Sequence, residues 1–215
     1  MQDKITVITV DDFEVFRLGF RYMLKGLDMV EQVLEADSSK TLFDLLKKVD
    51  ADLIFMDVDL GEEDGVTVTR QIKAKFPYTY VVAITSSKDI EHFINMMDAG
   101  AAGFLLKNVS QRELGLALTD ILKGNNYFSK EFLNAARQLL PQKRKRTNVQ
   151  LSDREKDVLK YICLGYSNIE IAESMALSTH TIDAHRKKLL HKIGAKNTAS
   201  MIMITMKDGI IDVDA

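Results

Sequence analysis

The stretch Leu53-Ile54-Phe55-Met56-Asp57 decides the fold, because a carboxylate follows directly on four apolar residues. A short apolar run of this kind is typical of a strand that is buried on both faces. Asp57 would then stand at the carboxyl end of that strand, where ligand crevices open in parallel α/β sheets. The sequence therefore predicts a functional residue at the edge of a buried sheet.

Polar side chains end three further apolar segments. They are Asp11 and Asp12 after residues 5–10, Thr85 after residues 80–84, and Lys107 after residues 104–106. A single aspartate at a strand end is more often a helix cap. Three carboxylates, a hydroxyl and a lysine at one sheet edge can instead bind a divalent ion and accept a phosphoryl group. The order of the whole set favours this chemistry.

Strands and helices alternate over the first 128 residues. This order is typical of βαβ units around a parallel sheet. We therefore predict an α/β domain over residues 1–128, with a doubly wound, flavodoxin-like parallel sheet of five strands. We expect strands near residues 4–10, 30–35, 52–57, 80–85 and 103–106, and helices near residues 13–25, 39–49, 65–75, 88–98 and 110–123.

Residues 129–150 separate this domain from the rest of the chain. Residues 129–140 predict one short helix. Residues 141–148 are polar and basic without an apolar period, which is typical of a solvated linker. The alternative is that their lysines and arginines contribute directly to phosphate binding.

Residues 151–215 predict a small all-α domain, because glycines separate four helical segments and no strand is predicted. Residues 169–177 and 178–192 form two helices joined by a short turn, which is the spacing of a helix-turn-helix. Residues 141–215 carry 13 Lys/Arg and 9 Asp/Glu, whereas the first 140 residues carry 16 and 22. The basic C-terminal part is consistent with a nucleic-acid partner.

Cys163 is the only cysteine, so an internal disulfide is excluded and burial in a helix is expected. No signal peptide begins the sequence, and no apolar stretch approaches about 18 residues. We therefore expect a cytoplasmic protein with no membrane partner.

The strand-end motifs resemble the receiver domain of two-component response regulators. Four motifs occur in the family's order: Val10-Asp11-Asp12, Phe55-Met56-Asp57, Ala83-Ile84-Thr85, and Ala-Gly-Ala-Ala-Gly-Phe-Leu-Leu-Lys at residues 99–107. The resemblance covers residues 1 to about 128 and implies that Asp57 accepts phosphate from a sensor histidine kinase.

The same resemblance implies the remaining residues of the phosphoacceptor site. Lys107 and Thr85 would assist the transfer, and Thr85 with Phe104 would form the switch pair, in which Phe104 turns inward on phosphorylation. Mg²⁺ would be held by Asp11, Asp12, Asp57 and the backbone carbonyl of Asp59.

One departure from the family pattern lies beside Asp57. The family usually has Asp-x-x-Met-Pro-x-x-Asp-Gly, whereas residues 57–65 read Asp-Val-Asp-Leu-Gly-Glu-Glu-Asp-Gly. Gly61 replaces the proline, so the fixed φ is lost and a more mobile loop is expected. Asp59, Glu62 and Glu63 add negative charge, which would either tighten Mg²⁺ binding or hinder an incoming phosphodonor.

The C-terminal part resembles the LuxR-type DNA-binding domain, and the whole chain resembles a NarL/FixJ-type response regulator. The motifs lie at residues 151–159, 165–172 and 177–186. The resemblance implies that residues 183, 184, 187 and 188 face DNA bases and that Thr179, Thr181 and Lys192 contact phosphates. The predicted DNA-binding residues are Thr179, Thr181, Asp183, Ala184, Arg186, Lys187, Lys188 and Lys192.

The last helix, near residues 198–206, has more apolar residues than one face against a small domain needs. Core packing explains them, and a dimer contact is the alternative that the resemblance implies. The expected partners are a sensor histidine kinase, promoter DNA and, after phosphorylation, a second copy of the chain. RNA polymerase is a further candidate.

The leading hypothesis is a transcription regulator, not an enzyme, in which phosphorylation of Asp57 controls dimerisation and DNA binding. One alternative keeps the DNA-binding role without phosphorylation, because the loop after Asp57 is atypical. A remote alternative is a haloacid-dehalogenase-like phosphatase, on the strength of Asp57-Val58-Asp59. Steady turnover of a phosphoester would distinguish it.

Overall fold

The computed structural model describes residues 4–139 and 149–213. These residues form two compact units, which divide between Asn125 and Asn126. The basic linker at residues 141–148 lies outside the described residues. No helix in the described ranges is long and apolar enough to cross a lipid bilayer.

The first unit contains a parallel sheet of five strands. The unit as a whole has seven strands, two of which lie outside this sheet; in chain order they are β1 (Ile5–Val10), β2 (Val30–Ala36), β3 (Leu53–Asp57), β4 (Asp59–Leu60), β5 (Glu63–Asp64), β6 (Tyr80–Thr85) and β7 (Gly103–Leu106). The order in the sheet is β2-β1-β3-β6-β7, and β4 and β5 form a separate antiparallel hairpin. The predicted doubly wound sheet is therefore confirmed.

Five helices follow the sheet strands of this unit: α1 (Glu14–Lys25), α2 (Ser39–Leu46), α3 (Gly65–Lys75), α4 (Ile90–Asp98) and α5 (Gln111–Leu122). Strands β3 and β7 are buried along their whole length, and β1 and β6 are buried at all but one residue, because helices cover the sheet, whereas the edge strand β2 has exposed residues. Phe20 of α1 packs edge-on against Phe55 of β3, with ring centroids 4.9 Å apart. Val10 of β1 is paired with Met56 of β3, which places the carboxyl ends of these two strands next to each other.

The second unit is helical apart from one short strand, β8 (Tyr127–Phe128). Its helices are α6 (Lys130–Leu139), α7 (Asp153–Cys163), α8 (Asn168–Met175), α9 (Thr179–Ile193) and α10 (Thr198–Asp208). The predicted all-α domain corresponds to α7–α10. The predicted linker helix is α6, and its residues Phe132, Leu133 and Ala136 are completely buried. Helix α6 therefore contributes an apolar face to the core of the second unit and is not a solvent-exposed linker helix.

Local sequence signals set the starts of these helices. Ser152 with Glu155, and Ser167 with Glu170, form complete capping boxes at α7 and α8. Ser178 caps α9, where its side chain accepts a hydrogen bond from the backbone N–H of Thr181 at 3.1 Å. The helix-turn-helix of α8 and α9 therefore has both of its helix starts fixed by serine.

Candidate functional site

Two aspartates and a lysine meet at the carboxyl edge of the sheet. Asp11 follows β1, Asp57 ends β3, and Lys107 follows β7. The Nζ of Lys107 lies 2.6 Å from Oδ2 of Asp11 and 2.7 Å from Oδ2 of Asp57. Asp11 and Asp57 are 1% and 2% exposed, so one ammonium group bridges two nearly buried carboxylates.

Burial and mutual repulsion change the acid strength of these groups. Burial raises the pKa of Asp57 to about 6; the charge of Asp11 adds to the rise, and the hydrogen bond from Lys107 opposes it. Burial alone would lower the pKa of Lys107, but its bonds to Asp11 and Asp57 outweigh this and raise it. At neutral pH the site therefore holds an ionised carboxylate and a charged lysine.

Three of the four predicted metal ligands lie close together. Carboxylate oxygens of Asp11, Asp12 and Asp57 lie within 4.8 Å of one another, and Asp12 is exposed to solvent. This arrangement suits a hard cation that keeps part of its water shell. The side chain of Asp59 is not part of this cluster; the predicted ligand at this position is its backbone carbonyl, which stays a prediction. Its side chain is exposed, and its backbone N–H donates to Oδ1 of Asp57 at 3.3 Å.

Two aromatic rings beside the pocket were not found by sequence reasoning. Phe16 and Phe13 lie 4.7 Å and 5.5 Å from Nζ of Lys107, measured to their ring centroids. Rings at this distance attract a cation. Both residues follow Asp12 within four positions, but the sequence does not indicate that their rings lie near Lys107.

The predicted switch residues are both completely buried. Thr85 ends β6, and its hydroxyl accepts a hydrogen bond from the backbone N–H of Ser87 at 3.0 Å. Phe104 on β7 packs edge-on against Phe93 of α4, with centroids 5.4 Å apart. Phe104 is completely buried, so its ring already lies inward in this structure.

The loop that carries Gly61 is a tight hairpin, and the expectation that it is more mobile than in the family stays a prediction. Leu60 of β4 pairs with Glu63 of β5, and Gly61 stands at φ +61° in the two-residue turn between them. Glycine at the first turn position is the arrangement of a type II′ hairpin. Glu63 also accepts hydrogen bonds from N and Oγ of Ser39, both at 2.7 Å, at the start of α2.

Gly61→Pro is expected to destabilise the first unit, because proline requires φ near −65° and this turn has the opposite sign. We expect the free energy of unfolding to fall by more than about 1 kcal/mol in urea denaturation. Gly19→Ala is the matched control, because Gly19 lies in α1 with no atom near its added Cβ. Equal or greater stability of Gly61→Pro would contradict the hairpin.

The outer face of α9 carries the second group of candidate residues. Ala184, Lys187 and Lys188 are exposed, and Thr179 and Thr181 at the start of the helix are half-buried. Exposed cations on one helix, next to a small residue, allow close approach to a nucleic-acid groove.

Three other predicted DNA contacts have partners within the second unit. Arg186 is 7% exposed and donates to the backbone carbonyl of Tyr166 at 3.5 Å. Lys192 pairs with Glu155 at 2.7 Å, and this ion pair and the capping bonds from Ser152 lower the pKa of Glu155 to about 2. Asp183 accepts a hydrogen bond from the side-chain amide of Asn168. These three side chains connect α9 to α7, to α8 and to the turn between them.

Asp183→Ala is therefore expected to lower stability and to leave base preference unchanged. Loss of the contact with the buried Asn168 should reduce the free energy of unfolding by about 1–3 kcal/mol. Asp183→Asn is the matched control, because the amide oxygen still accepts. Binding-site selection with both variants is the test; a preference relaxed at one base pair per half-site in Asp183→Ala would restore Asp183 as a base reader.

Helix α10 buries most of its apolar residues inside the second unit, including Met201 and Ile202. Met203 and Ile204 are half-buried on its outer side. Core packing therefore explains most of this helix, and these two side chains are the part left for a dimer contact.

Comparison with known protein families gives two matches that together span most of the chain. Residues 7–119 match the response regulator receiver domain. Residues 149–205 match the bacterial regulatory proteins of the luxR family.

Similar proteins align with this chain over nearly its full length. The Fimbriae Z protein of Salmonella typhimurium is 30% identical over 197 residues, which cover 92% of this chain and 94% of that protein. The response regulator protein VraR of Staphylococcus aureus is 30% identical, with 96% and 99% covered. A solved RcsB–DNA complex of a two-component response regulator is similar at 25% identity and a TM-score of 0.58, covering 95% of this chain and 99% of that one.

Proposed function

Because the chain belongs to the response regulators, with a receiver domain followed by a LuxR-type DNA-binding domain, we propose that phosphorylation of Asp57 controls its regulation of transcription. The resemblance expected from the sequence is thereby confirmed. The observation that carries the residue assignment is the Lys107 ammonium between Asp11 and Asp57 at the sheet edge. The phosphodonor is a sensor histidine kinase, and the target is promoter DNA in the cytoplasm.

Mg²⁺ is the cofactor that fits the pocket. Asp11, Asp12 and Asp57 supply carboxylate oxygens close enough together to share one ion, and the exposed side of Asp12 leaves room for its water ligands. When bound, the ion offsets the repulsion between the carboxylates and the incoming phosphoryl group.

Asp57 is the nucleophile of the transfer. One of its carboxylate oxygens attacks phosphorus, an O–P bond forms, and the N–P bond to the donor histidine breaks with both electrons going to nitrogen. Lys107 then pairs with a phosphoryl oxygen in place of the carboxylate it now contacts. The Thr85 hydroxyl lies at the end of the next strand and donates to another phosphoryl oxygen.

The second unit binds DNA through α9. Lys187 and Lys188 contact the backbone or base edges, Ala184 permits close approach, and Thr179 and Thr181 contact phosphates at the helix start. The RcsB–DNA complex supports this assignment by similarity. The chain is a regulator without substrate turnover beyond its own phosphoryl group.

The alternative without phosphorylation rested on the atypical loop after Asp57. The hairpin that Gly61 allows leaves the Asp11–Lys107–Asp57 contacts in place. The loop therefore gives that alternative no support.

Phosphorylation is expected to promote dimers and to increase DNA affinity. A receiver can bias its partner domain only through contacts that differ between two states. Thr85 moving toward the phosphoryl group is the first such change, and it would loosen the packing around the inward ring of Phe104. Light scattering and DNA titration of protein with and without a small phosphodonor provide the test. Equal size and equal affinity in both states would show that the coupling is absent.

A further inference from the structure

Helix α6 is docked closely onto the turn that begins the helix-turn-helix. Phe132 and Leu133 are completely buried. Gly165, at φ +77°, allows the approach, because a Cβ there would lie 3.0 Å from Cα and Cγ of Lys130 and 3.3 Å from Cδ1 of Leu133. The backbone of α6 and the turn at residues 164–167 therefore touch.

Lys130 makes the polar part of this contact. Its Nζ lies 2.6 Å from Oε1 of Glu170 and 4.0 Å from the ring centroid of Tyr166. The other oxygen of Glu170 accepts from the backbone N–H of Ser167 at 2.8 Å, within the capping box of α8. One carboxylate thus joins α6 to the first turn of α8. We call these three residues the α6 clasp: Lys130, Tyr166 and Glu170.

The same turn and the first residue of α8 also contact α9. The carbonyl of Tyr166 accepts from Arg186, and the side chain of Asn168 donates to Asp183. Asp183 and Arg186 are three residues apart, so they lie on one face of α9. The turn is therefore in contact with both α6 and α9.

We propose that the α6 clasp positions α9 for DNA binding, with Lys130 and Glu170 as positioning residues. This inference rests on the proposed function of α9. Helix α6 precedes the helix-turn-helix in the chain and follows the receiver, so a displacement of α6 changes the orientation of α9 through the turn at residues 164–167. The clasp is therefore a point at which the state of the receiver can act on DNA affinity.

The test uses the full chain with Lys130→Met, which keeps the aliphatic stem and removes the ammonium. Glu170→Gln and the double variant Lys130→Met/Glu170→Gln complete a double-mutant cycle. Lys156→Met is the matched control, because it removes the same charge and a surface ion pair with Asp153 from the same unit. Lys130→Arg tests rescue, because a guanidinium can both stack on Tyr166 and bond Glu170.

We expect Lys130→Met to weaken affinity for DNA selected by the wild type on the order of 3- to 10-fold, at a temperature where all variants are folded. Glu170→Gln should act similarly, the double variant should be no worse than either single one, and Lys130→Arg should be close to wild type. Amide exchange in α9 of DNA-free protein should rise in Lys130→Met and stay unchanged in Lys156→Met.

Equal affinity and equal exchange in Lys130→Met and Lys156→Met would overturn the inference. Additive losses in the double variant would do the same, because they would show that the two residues act separately. If the wild type selected no DNA sequence, the proposed function would fail, whereas the exchange measurement would still decide whether the clasp holds α9.

Discussion

Asp57→Asn is expected to abolish phosphorylation of the chain by a small phosphodonor such as acetyl phosphate. The amide is nearly the same size as the carboxylate but is too weak a nucleophile to attack phosphorus. The fold should be retained, because the pKa of Asp57 is raised to about 6 and burial therefore already disfavours its charge. Intact mass spectrometry after incubation with donor and Mg²⁺ should show one added phosphoryl group on the wild type and none on the variant.

Asp59→Asn is the matched control, because it removes the same charge two residues further on, from an exposed side chain. It should accept phosphate, and removal of Mg²⁺ with EDTA should stop the reaction in both the control and the wild type. An added phosphoryl mass that persists in Asp57→Asn would show that another residue is the acceptor. Phosphorylation that is unaffected by EDTA would remove Mg²⁺ from the proposed site.

This pocket could be predicted from the sequence because its geometry follows from topology alone. Asp11, Asp57 and Lys107 each come directly after an apolar strand, and the carboxyl ends of parallel strands meet at one edge. The rings of Phe13 and Phe16 were not predicted, because the position of a ring over a lysine depends on how the first turn of α1 packs. The hairpin at Gly61 was not predicted, because the replacement of proline by glycine indicates only that φ is not fixed, whereas the turn type depends on the pairing of the flanking residues; here Gly61 supplies the positive φ that the turn needs.

The face of α9 was predicted only in part. Arg186 was predicted on the DNA-facing side, but it is buried together with Ile182, four residues before it, and Leu189, three residues after it. The ion pair between Lys192 and Glu155 could not be predicted from the helical period. Glu155 lies 37 residues away in the sequence, and its contact exists only because α7 packs against α9. Long-range pairing of this kind depends on tertiary structure, which local patterns do not encode.

These contacts change the expected salt dependence of DNA binding. If Arg186, Lys187, Lys188 and Lys192 all contacted DNA in both copies of a dimer, they would neutralise roughly 6–10 phosphates. The slope of log affinity against log salt concentration would then be on the order of −5 to −9. With Arg186 and Lys192 engaged inside the unit, two lysines remain in each copy. About four phosphates then give a slope of about −4, and affinity should fall on the order of 10²-fold between about 50 and 200 mM salt.

Two variants distinguish four DNA-contacting cations per copy from two. Lys187→Ala removes one phosphate contact per copy, so the slope should become shallower by about 2. Lys192→Gln should leave the slope unchanged, because the lysine it replaces is already paired with Glu155. A slope steeper than about −6 that becomes shallower in Lys192→Gln would mean that Lys192 exchanges Glu155 for a phosphate when DNA binds. The slope could also stay steep in Lys192→Gln and become shallower when four residues of the basic linker are neutralised, namely Lys143, Arg144, Lys145 and Arg146. That result would assign the additional phosphate contacts to the linker. The slope therefore measures which cations of this chain bind the duplex.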